Sequence, residues 1–188
     1  MHVQVIVLNG GSSSGKSSIA TCLQQQLEGT WMTLGVDDLI RALSHGPTDT
    51  TGGGTLRFSA DASISVGEAF HQAEAAWYQG VGAIARAGGA VIADEVFLEG
   101  GRSQGRLKAA LHGLSVVWVG VHCDPDVAET REAQRGDRLR GQARDQAVRV
   151  HKGVRYDLVV DTTRTSPSQC AGKIVEWLTR SDSSSPSQ

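Results

Sequence analysis

A glycine-rich loop near the N-terminus constrains the fold of this chain more than any other feature. The run GGSSSGKS at residues 10–17 fits the pattern G-x-x-x-x-G-K-[ST]. A short β-branched run, VQVIVLN at residues 3–9, precedes the loop, and a helical pattern over residues 16–27 follows it. This order is typical of a P-loop, whose backbone N–H groups surround phosphate oxygens. The feature therefore predicts an α/β fold that binds a nucleotide.

The chemistry of such a loop assigns separate tasks to its residues. The Lys16 ammonium is expected to reach the β- and γ-phosphate oxygens of ATP, and the Ser17 hydroxyl is expected to ligate Mg²⁺. The predicted nucleotide site consists of Gly10, Gly11, Ser12, Ser13, Ser14, Gly15, Lys16, Ser17 and Ser18. The alternative is a glycine turn that matches the pattern by chance, and the flanking strand and helix disfavour it.

Apolar runs alternate with helical patterns along the rest of the chain. Strands are predicted at residues 3–9, 31–36, 90–96, 115–123 and 156–161. Helices are predicted at residues 16–27, 37–43, 67–87, 101–111, 124–135 and 166–180. We expect a three-layer, P-loop kinase-like α/β fold, in which helices cover both faces of a parallel five-stranded sheet.

The domain organisation follows from the same pattern. One domain is predicted over residues 1–180, followed by a flexible tail at residues 181–188. Residues 44–65 are rich in Gly, Ser and Thr, and we interpret them as a long loop with room for a small hairpin.

Carboxylates follow two of the predicted strands, at the edge where ligands of such folds bind. Asp37 is predicted to be a general base that accepts a proton from a hydroxyl acceptor, while Asp38 should turn away. Asp94 is predicted to help hold Mg²⁺ or to act on the acceptor side, and Glu95 is the neighbouring candidate for the same role. In the alternative interpretation, Asp37 and Asp38 cap the next helix and Asp94 is an ordinary turn residue.

An arginine-rich stretch at residues 131–149 resembles a lid over the nucleotide phosphates, because guanidinium groups match phosphoryl oxygens. Arg135 and Arg138 are predicted to be catalytic, and Arg131 and Arg135 are predicted to bind the nucleotide. The alternative is a solvated basic face whose arginines, Arg140 and Arg144 included, pair with Glu129, Glu132 and Asp137.

Composition excludes several classes of protein. A formal net charge of −2 argues against a nucleic-acid partner. Three cysteines without metal-ligand spacing favour packing roles in a reducing compartment, and the histidines show no ligand pairing. No apolar run approaches the roughly 18 residues of a membrane helix. We expect a cytoplasmic protein without a membrane partner, and a homo-oligomer is compatible with the sequence.

These motifs together resemble the chloramphenicol phosphotransferase family. The likeness includes LNGGSSSGKSS at residues 8–18, LGVDDLI at 34–40, SVGEAF at 65–70, DEVF at 94–97, VVWVGVHCD at 116–124, RE-x-x-RGDR at 131–138 and YDLVVDTT at 156–163. The resemblance implies ATP-dependent phosphorylation of the primary hydroxyl of chloramphenicol, which gives self-resistance. It also implies that Asp37 is the general base and that Lys16 and Ser17 are the loop residues of the site.

Two other functions stay open at this point. Residues 44–63 depart from the family in sequence, in the region expected to shape the acceptor pocket, so a kinase of another secondary metabolite or of the shikimate, gluconate or nucleoside type is one alternative. A regulatory nucleotide switch is the other. The chain has no Asn-Lys-x-Asp motif for guanine, and its acceptor-side aspartate suits a kinase better than a switch.

Overall fold

The computed structural model describes residues 3–43, 56–58, 64–135 and 141–183. Strands and helices alternate along most of the chain. In chain order they are β1 (Val5–Asn9), α1 (Lys16–Gln26), β2 (Trp31–Gly35), α2 (Val36–Ala42), β3 (Leu56–Phe58), β4 (Ile64–Val66), α3 (Glu68–Arg86), β5 (Ala90–Glu95), α4 (Gly101–Ala110), β6 (Val116–His122), α5 (Pro125–Arg135), α6 (Gln142–Arg149), β7 (Leu158–Asp161) and α7 (Pro167–Ser183).

A parallel five-stranded sheet forms the centre of the molecule, in the order β2-β5-β1-β6-β7. Strand β1 lies in the middle, and all five of its residues are buried because helices cover both faces. The register pairs Asn9 with Glu95 and Gly35 with Asp94, so the carboxyl ends of β1, β2 and β5 meet at one edge. The predicted fold is confirmed.

Two hydrophobic layers hold the helices on the sheet. Helices α1 and α7 pack against alternate strand residues such as Ile6, Leu8 and Ile92. Helices α3 and α4 pack on the opposite face, against residues such as Val5 and Val7. Since successive strand side chains point to opposite faces, the same strands supply both layers. Within the described ranges, no helix combines the length and apolar character needed to cross a membrane.

Helix α2 begins one residue earlier than the sequence analysis predicted. Gly35 is the N-cap residue, so the interpretation of Asp37 as the cap is wrong. Asp38 supplies the cap instead, because its carboxylate accepts a hydrogen bond of 2.8 Å from the Gly35 N–H. The negative side chains of both aspartates lie in the first turn, where the helix dipole favours them.

In three other segments the structure adds to or changes the prediction. The small hairpin within residues 44–65 is present, since β3 and β4 pair in antiparallel fashion. Helix α6 was not predicted, because glycines and arginines masked its apolar pattern. Helix α7 extends to Ser183, three residues into the predicted tail, and residues 184–188 lie outside the described part of the chain.

Candidate nucleotide and phosphoryl-transfer site

The loop between β1 and α1 needs its glycines for different physical reasons. A Cβ on Gly10 would lie 2.5 Å from the Val121 carbonyl oxygen of β6, and a Cβ on Gly11 would lie 2.9 Å from the backbone of Gln146 on α6. Gly15 instead has a positive φ of 89°, which glycine adopts without steric cost. The first two glycines therefore let β6 and α6 approach the loop, a role that the motif alone did not indicate.

Lys16, Ser17 and Asp94 meet at the start of α1. The Lys16 Nζ donates to the Gly11 carbonyl oxygen at 3.0 Å and lies 3.8 Å from Asp94 Oδ1. The Ser17 hydroxyl donates to Asp94 Oδ2 at 2.6 Å. Strand β5 brings Asp94 here because it pairs directly with β1. The two residues predicted to hold metal are thus in contact.

This pair of oxygen groups fits Mg²⁺ chemically. A hydroxyl and a carboxylate are the hard oxygen ligands that Mg²⁺ prefers, and protein sites for this ion usually supply one or two groups beside substrate phosphates. Within residues 3–43, 56–58, 64–135 and 141–183, no group of three or more His, Cys, Asp or Glu side chains is arranged to hold a metal. Phosphate oxygens and water would therefore complete the coordination.

A cavity of about 260 Å³, which we call the phosphate cavity, lies beside these groups. The loop lines it through Ser13, Lys16 and Ser17, and α2 lines it through Asp37, Asp38 and Arg41. Thr33 of β2 also lines the cavity and was missed by sequence reasoning. Its position two residues before the end of β2 is the signal that could have identified it.

The two aspartates of α2 have different surroundings. Asp38 caps Gly35 and also accepts a hydrogen bond of 2.5 Å from the exposed Arg41 guanidinium, so both of its oxygens have structural partners. Both Asp37 and Asp38 line the phosphate cavity. The general-base role of Asp37 therefore stays a prediction, and what sets Asp38 apart is its cap to Gly35 and its contact with Arg41.

Glu95 follows Asp94 but points to the other face of the sheet. Its side chain is 2% exposed and accepts a hydrogen bond of 3.3 Å from the Tyr78 hydroxyl. Burial, together with the negative charges of Asp94 and Glu74, raises the pKa of Glu95 to about 8. Asp94, rather than Glu95, therefore contacts the Ser17 hydroxyl.

Glu95 belongs to a set of side chains that we call the α3–α4 network: Glu74, Tyr78, Glu95, Glu99 and Arg106. The Arg106 guanidinium lies 2.7 Å from a carboxylate oxygen of Glu74 and 2.7 Å from one of Glu99. The Tyr78 hydroxyl lies 3.2 Å from Glu74. The network joins α3, the end of β5 and α4, and sequence reasoning did not identify its members on the helices.

Arg131 is linked to the loop through Thr162. Its guanidinium donates to the Thr162 carbonyl oxygen at 2.8 Å, and the Thr162 hydroxyl donates to the Ser14 carbonyl oxygen at 2.7 Å. Arg131 thereby fixes the segment after β7 against the loop. Arg135 ends α5. Its side chain and the whole of Arg138 lie outside the described residues, so their predicted roles stay predictions.

The alternative interpretation of the arginine-rich stretch holds for Arg144, which forms exposed ion pairs with Asp126 and Glu129. It is wrong for Glu132, which was expected to pair with an arginine. Glu132 is buried, and its two oxygens accept hydrogen bonds of 2.7 and 2.9 Å from the N–H groups of Gly141 and Ala143. The carboxylate thus satisfies the N-terminus of α6. Asp137 and Arg140 lie outside the described residues.

Asn9 anchors the end of β1 to three other segments. Its amide nitrogen donates to the Val150 carbonyl oxygen at 3.0 Å and to the Tyr156 hydroxyl at 2.6 Å, and its amide oxygen accepts from the Phe97 N–H at 2.9 Å. The Tyr156 hydroxyl lies 2.6 Å from His151 Nδ1. Sequence reasoning missed this anchor, although a polar residue that ends a buried strand was a signal.

His151 stacks on His122 with ring centroids 3.8 Å apart. Burial, together with the positive charges of His122 and Lys16, lowers the pKa of His151 to about 4. His122 also borders a second cavity, of about 550 Å³, with Asp124, Asp161 and Thr163. The segment after β7 therefore connects this second cavity to the loop through Thr162.

Comparison with known proteins supports the same assignment. Residues 3–179 match the family described as chloramphenicol phosphotransferase-like protein. A protein of Mycobacterium tuberculosis strain H37Rv that bears the provisional name O-phosphotransferase is 30% identical over 183 residues, which cover 92% of this chain and 81% of that protein. Its counterpart in strain CDC 1551 is equally similar.

Solved structures of two kinases and of an antibiotic resistance protein share the fold. A sugar kinase from Janibacter sp. HTCC2649 has a TM-score of 0.68 at 17% identity, covering 95% of both chains. Shikimate kinase from Acinetobacter baumannii, in complex with shikimate, has a TM-score of 0.63 at 14% identity, covering 95% of this chain and 94% of that chain. The tunicamycin resistance protein of Deinococcus radiodurans has a TM-score of 0.67 at 19% identity, covering 94% of this chain and 96% of that chain.

The resemblance found in the sequence motifs is confirmed. The family match spans nearly the whole chain, including the P-loop, both strand-end aspartates and the segment after β7. A regulatory nucleotide switch is therefore excluded as the function. The chain belongs to the chloramphenicol phosphotransferase-like family and is an ATP-dependent O-phosphotransferase.

Proposed function

We propose that the protein transfers the γ-phosphoryl group of ATP to a hydroxyl group of a small antibiotic, with the primary alcohol of chloramphenicol as the leading acceptor. The observation that carries this proposal is the position of Asp37, which lines the same cavity as Lys16, Ser17 and Asp94. A candidate base and the candidate phosphate-binding groups thus share one small space. The biological consequence would be antibiotic self-resistance.

The loop holds the phosphates in this proposal. The predicted phosphate-binding residues are Gly10, Gly11, Ser12, Ser13, Ser14, Gly15, Lys16, Ser17 and Ser18. The N–H groups of Gly10, Ser12 and Ser14 donate to Glu95, Gln146 and Gly11, so the other N–H groups of the loop and of the first turn of α1 would be the main donors to the phosphates. The Lys16 ammonium, which donates to the Gly11 carbonyl oxygen and lies 3.8 Å from Asp94, would turn to the β- and γ-phosphates when ATP binds. Ser17 and Asp94 would hold Mg²⁺. When bound, this ion neutralises charge on the phosphate oxygens.

Asp37 acts as the general base. Its carboxylate accepts the proton of the acceptor hydroxyl as the acceptor oxygen forms a bond to the γ-phosphorus atom. The bond from that phosphorus to the β–γ bridging oxygen breaks, and ADP leaves with the bonding electrons. Asp38 is a poorer candidate, because the Gly35 N–H and Arg41 occupy its oxygens.

The remaining parts of the nucleotide site follow from neighbouring segments. Arg135 and Arg138 would close over the phosphates and stabilise negative charge during transfer. The base of ATP would lie toward the second cavity, since the segment after β7 both contacts the loop through Thr162 and lines that cavity through Thr163. The predicted cytoplasmic location and the possibility of a homo-oligomer stay predictions.

The acceptor is the least constrained part of the proposal. The family name supports chloramphenicol, and the similar fold of a tunicamycin resistance protein supports an antibiotic more generally. The second candidate is a hydroxylated metabolite, which the shared fold of sugar kinase and shikimate kinase favours. Both candidates use the same cavity and the same base.

A panel of acceptors tests the proposal. We expect chloramphenicol to stimulate ADP release from Mg·ATP and to gain one phosphate group by mass spectrometry. The matched control is 3-O-acetyl chloramphenicol, in which the primary alcohol is blocked, and it should give no stimulation. A phosphate adduct on another antibiotic, or on a sugar, shikimate or a nucleoside, with none on chloramphenicol would reject the leading acceptor.

A further inference from the structure

Ser13 has an unusual backbone conformation for its residue type. Its φ is +57°, and within the described residues it is the only non-glycine residue with a positive φ. In this region the Cβ of an L-residue approaches the neighbouring carbonyl oxygen, whereas glycine has no such contact. Glycine would supply the same backbone N–H group to a phosphate. The backbone is therefore strained only because this residue carries a side chain. Residues held in such conformations concentrate at functional sites.

The Ser13 hydroxyl also lacks a partner. Its Oγ is buried and forms no hydrogen bond to any part of the chain that the structure describes. Buried hydroxyl groups are normally paired, because an unpaired one has lost its contacts with water. Strain and an unpaired hydroxyl at one residue are independent observations, and a contact with a bound ligand accounts for both.

The position of Ser13 indicates which ligand this is. Ser13 lines the phosphate cavity together with Lys16 and Asp37, and the proposed reaction takes place in this cavity. Ser14, whose Oγ is also unpaired, does not line that cavity. Rotation about χ1 is enough to turn the hydroxyl of a cavity-lining serine toward a bound group.

We infer that the Ser13 hydroxyl donates a hydrogen bond to the terminal phosphoryl group of bound ATP. This inference rests on the proposed function and goes beyond it, because it assigns a side chain where the loop motif uses only the backbone. A hydroxyl that donates to a phosphoryl oxygen makes a charge-assisted bond, which is stronger than a neutral one. ADP lacks the terminal group, so Ser13 distinguishes ATP from ADP.

Two substitutions separate the contribution of the Ser13 hydroxyl from that of the strained backbone. Ser13→Ala removes the hydroxyl and keeps the strained Cβ, while Ser13→Gly removes both. We expect both variants to lose about tenfold in affinity for a non-hydrolysable ATP analogue, while affinity for ADP changes less than about twofold. The turnover number kcat should fall by roughly 10- to 10²-fold in both. The glycine variant should melt about 1–4 °C above the alanine variant, because strain is relieved.

Calorimetric titrations with the ATP analogue and with ADP decide the question. Unchanged ATP affinity in Ser13→Ala would overturn the inference, and so would an equal loss for ATP and ADP, which indicates a distorted loop. Loss of ATP affinity in Ser13→Ala but not in Ser13→Gly would also overturn it. A wild-type protein that binds Mg·ATP but phosphorylates no acceptor refutes the proposed function alone, since the ATP-to-ADP comparison still tests Ser13.

Discussion

Asp94 and Glu95 are neighbours at the end of β5, yet they belong to two different regions of the molecule. Asp94 faces the phosphate cavity, where its oxygens contact Ser17 and lie near Lys16. Glu95 faces the α3–α4 network, where it is fully covered. Because a strand alternates its side chains between two faces, one step along the chain separates an acid with a chemical task from one with a structural task.

The two regions are expected to respond differently to mutation. Groups in the phosphate cavity are proposed to act on the phosphates and the acceptor, so their loss should affect catalysis more than folding. Members of the α3–α4 network are paired with one another across two helices and a strand. Their loss should affect folding first, because a buried charge without its partner is costly.

The largest effect is expected for Lys16→Ala. Removal of the ammonium takes away the charge proposed to bridge the β- and γ-phosphates, which should raise the barrier to transfer by several kcal/mol. The melting temperature should stay near the wild-type value. Steady-state kinetics and thermal unfolding on the same preparation measure both quantities. Wild-type turnover in Lys16→Ala would contradict the catalytic role proposed for the phosphate cavity.

Asp37→Asn should follow, with kcat lowered by roughly 10²- to 10⁴-fold, the range for a positioned general base. Binding of Mg·ATP should be retained, because Asp37 acts on the acceptor. Asp38→Asn is the matched control. Because Asp38 caps α2, this variant should be less stable than the wild type while its turnover stays near the wild-type value. Full activity in Asp37→Asn with loss in Asp38→Asn would transfer the proposed role to Asp38.

Arg106→Ala tests the structural role of the α3–α4 network. The substitution leaves the buried Glu74 carboxylate without its guanidinium. Because Arg106 itself is one third exposed, the cost should be about 2 kcal/mol of unfolding free energy, below that of a fully buried pair. Arg144→Ala is the matched control, because the ion pairs of Arg144 with Asp126 and Glu129 are exposed and should contribute no measurable stability. Denaturant unfolding measures both variants, and equal losses would contradict the distinction between a buried and an exposed pair.

The smallest effect, taken per pH unit, is the pH dependence of stability. The pKa of Glu95 rises from 4.5 to about 8 on folding, so between these values the folded chain keeps a proton that the unfolded chain has released. The stability due to this group is therefore greatest below pH 4.5 and falls as the pH rises toward about 8, by at most about 1.4 kcal/mol per pH unit. Unfolding of Glu95→Gln should be less pH-dependent than that of the wild type across this window, and parallel profiles would contradict the assignment.

Much of the fold and part of the site could be predicted because they are encoded locally. The P-loop, the alternation of strands and helices, and the strand-end aspartates are all patterns of neighbouring residues. The boundary of α2 was missed by one residue because a glycine N-cap uses the carboxylate of Asp38 rather than its own side chain. Such an error is small in sequence but changes which aspartate caps the helix.

Features that depend on distant residues could not be predicted. Arg106 meets Glu74 across 32 positions of sequence, and Asn9 meets Tyr156 across 147. The contact between Ser12 and Gln146 similarly joins the loop to a helix that the pattern did not predict. Each of these contacts exists only because the fold brings together segments that are distant in the sequence.

Isothermal titration of well-folded wild-type protein with Mg·ATP, beside Lys16→Ala, tests the central claim most directly. The account predicts saturable binding with one site per chain in the wild type and much weaker binding in the variant, at equal melting temperatures. Absence of heat from wild-type protein whose folding is verified by circular dichroism would contradict the assignment of the loop as a phosphate site.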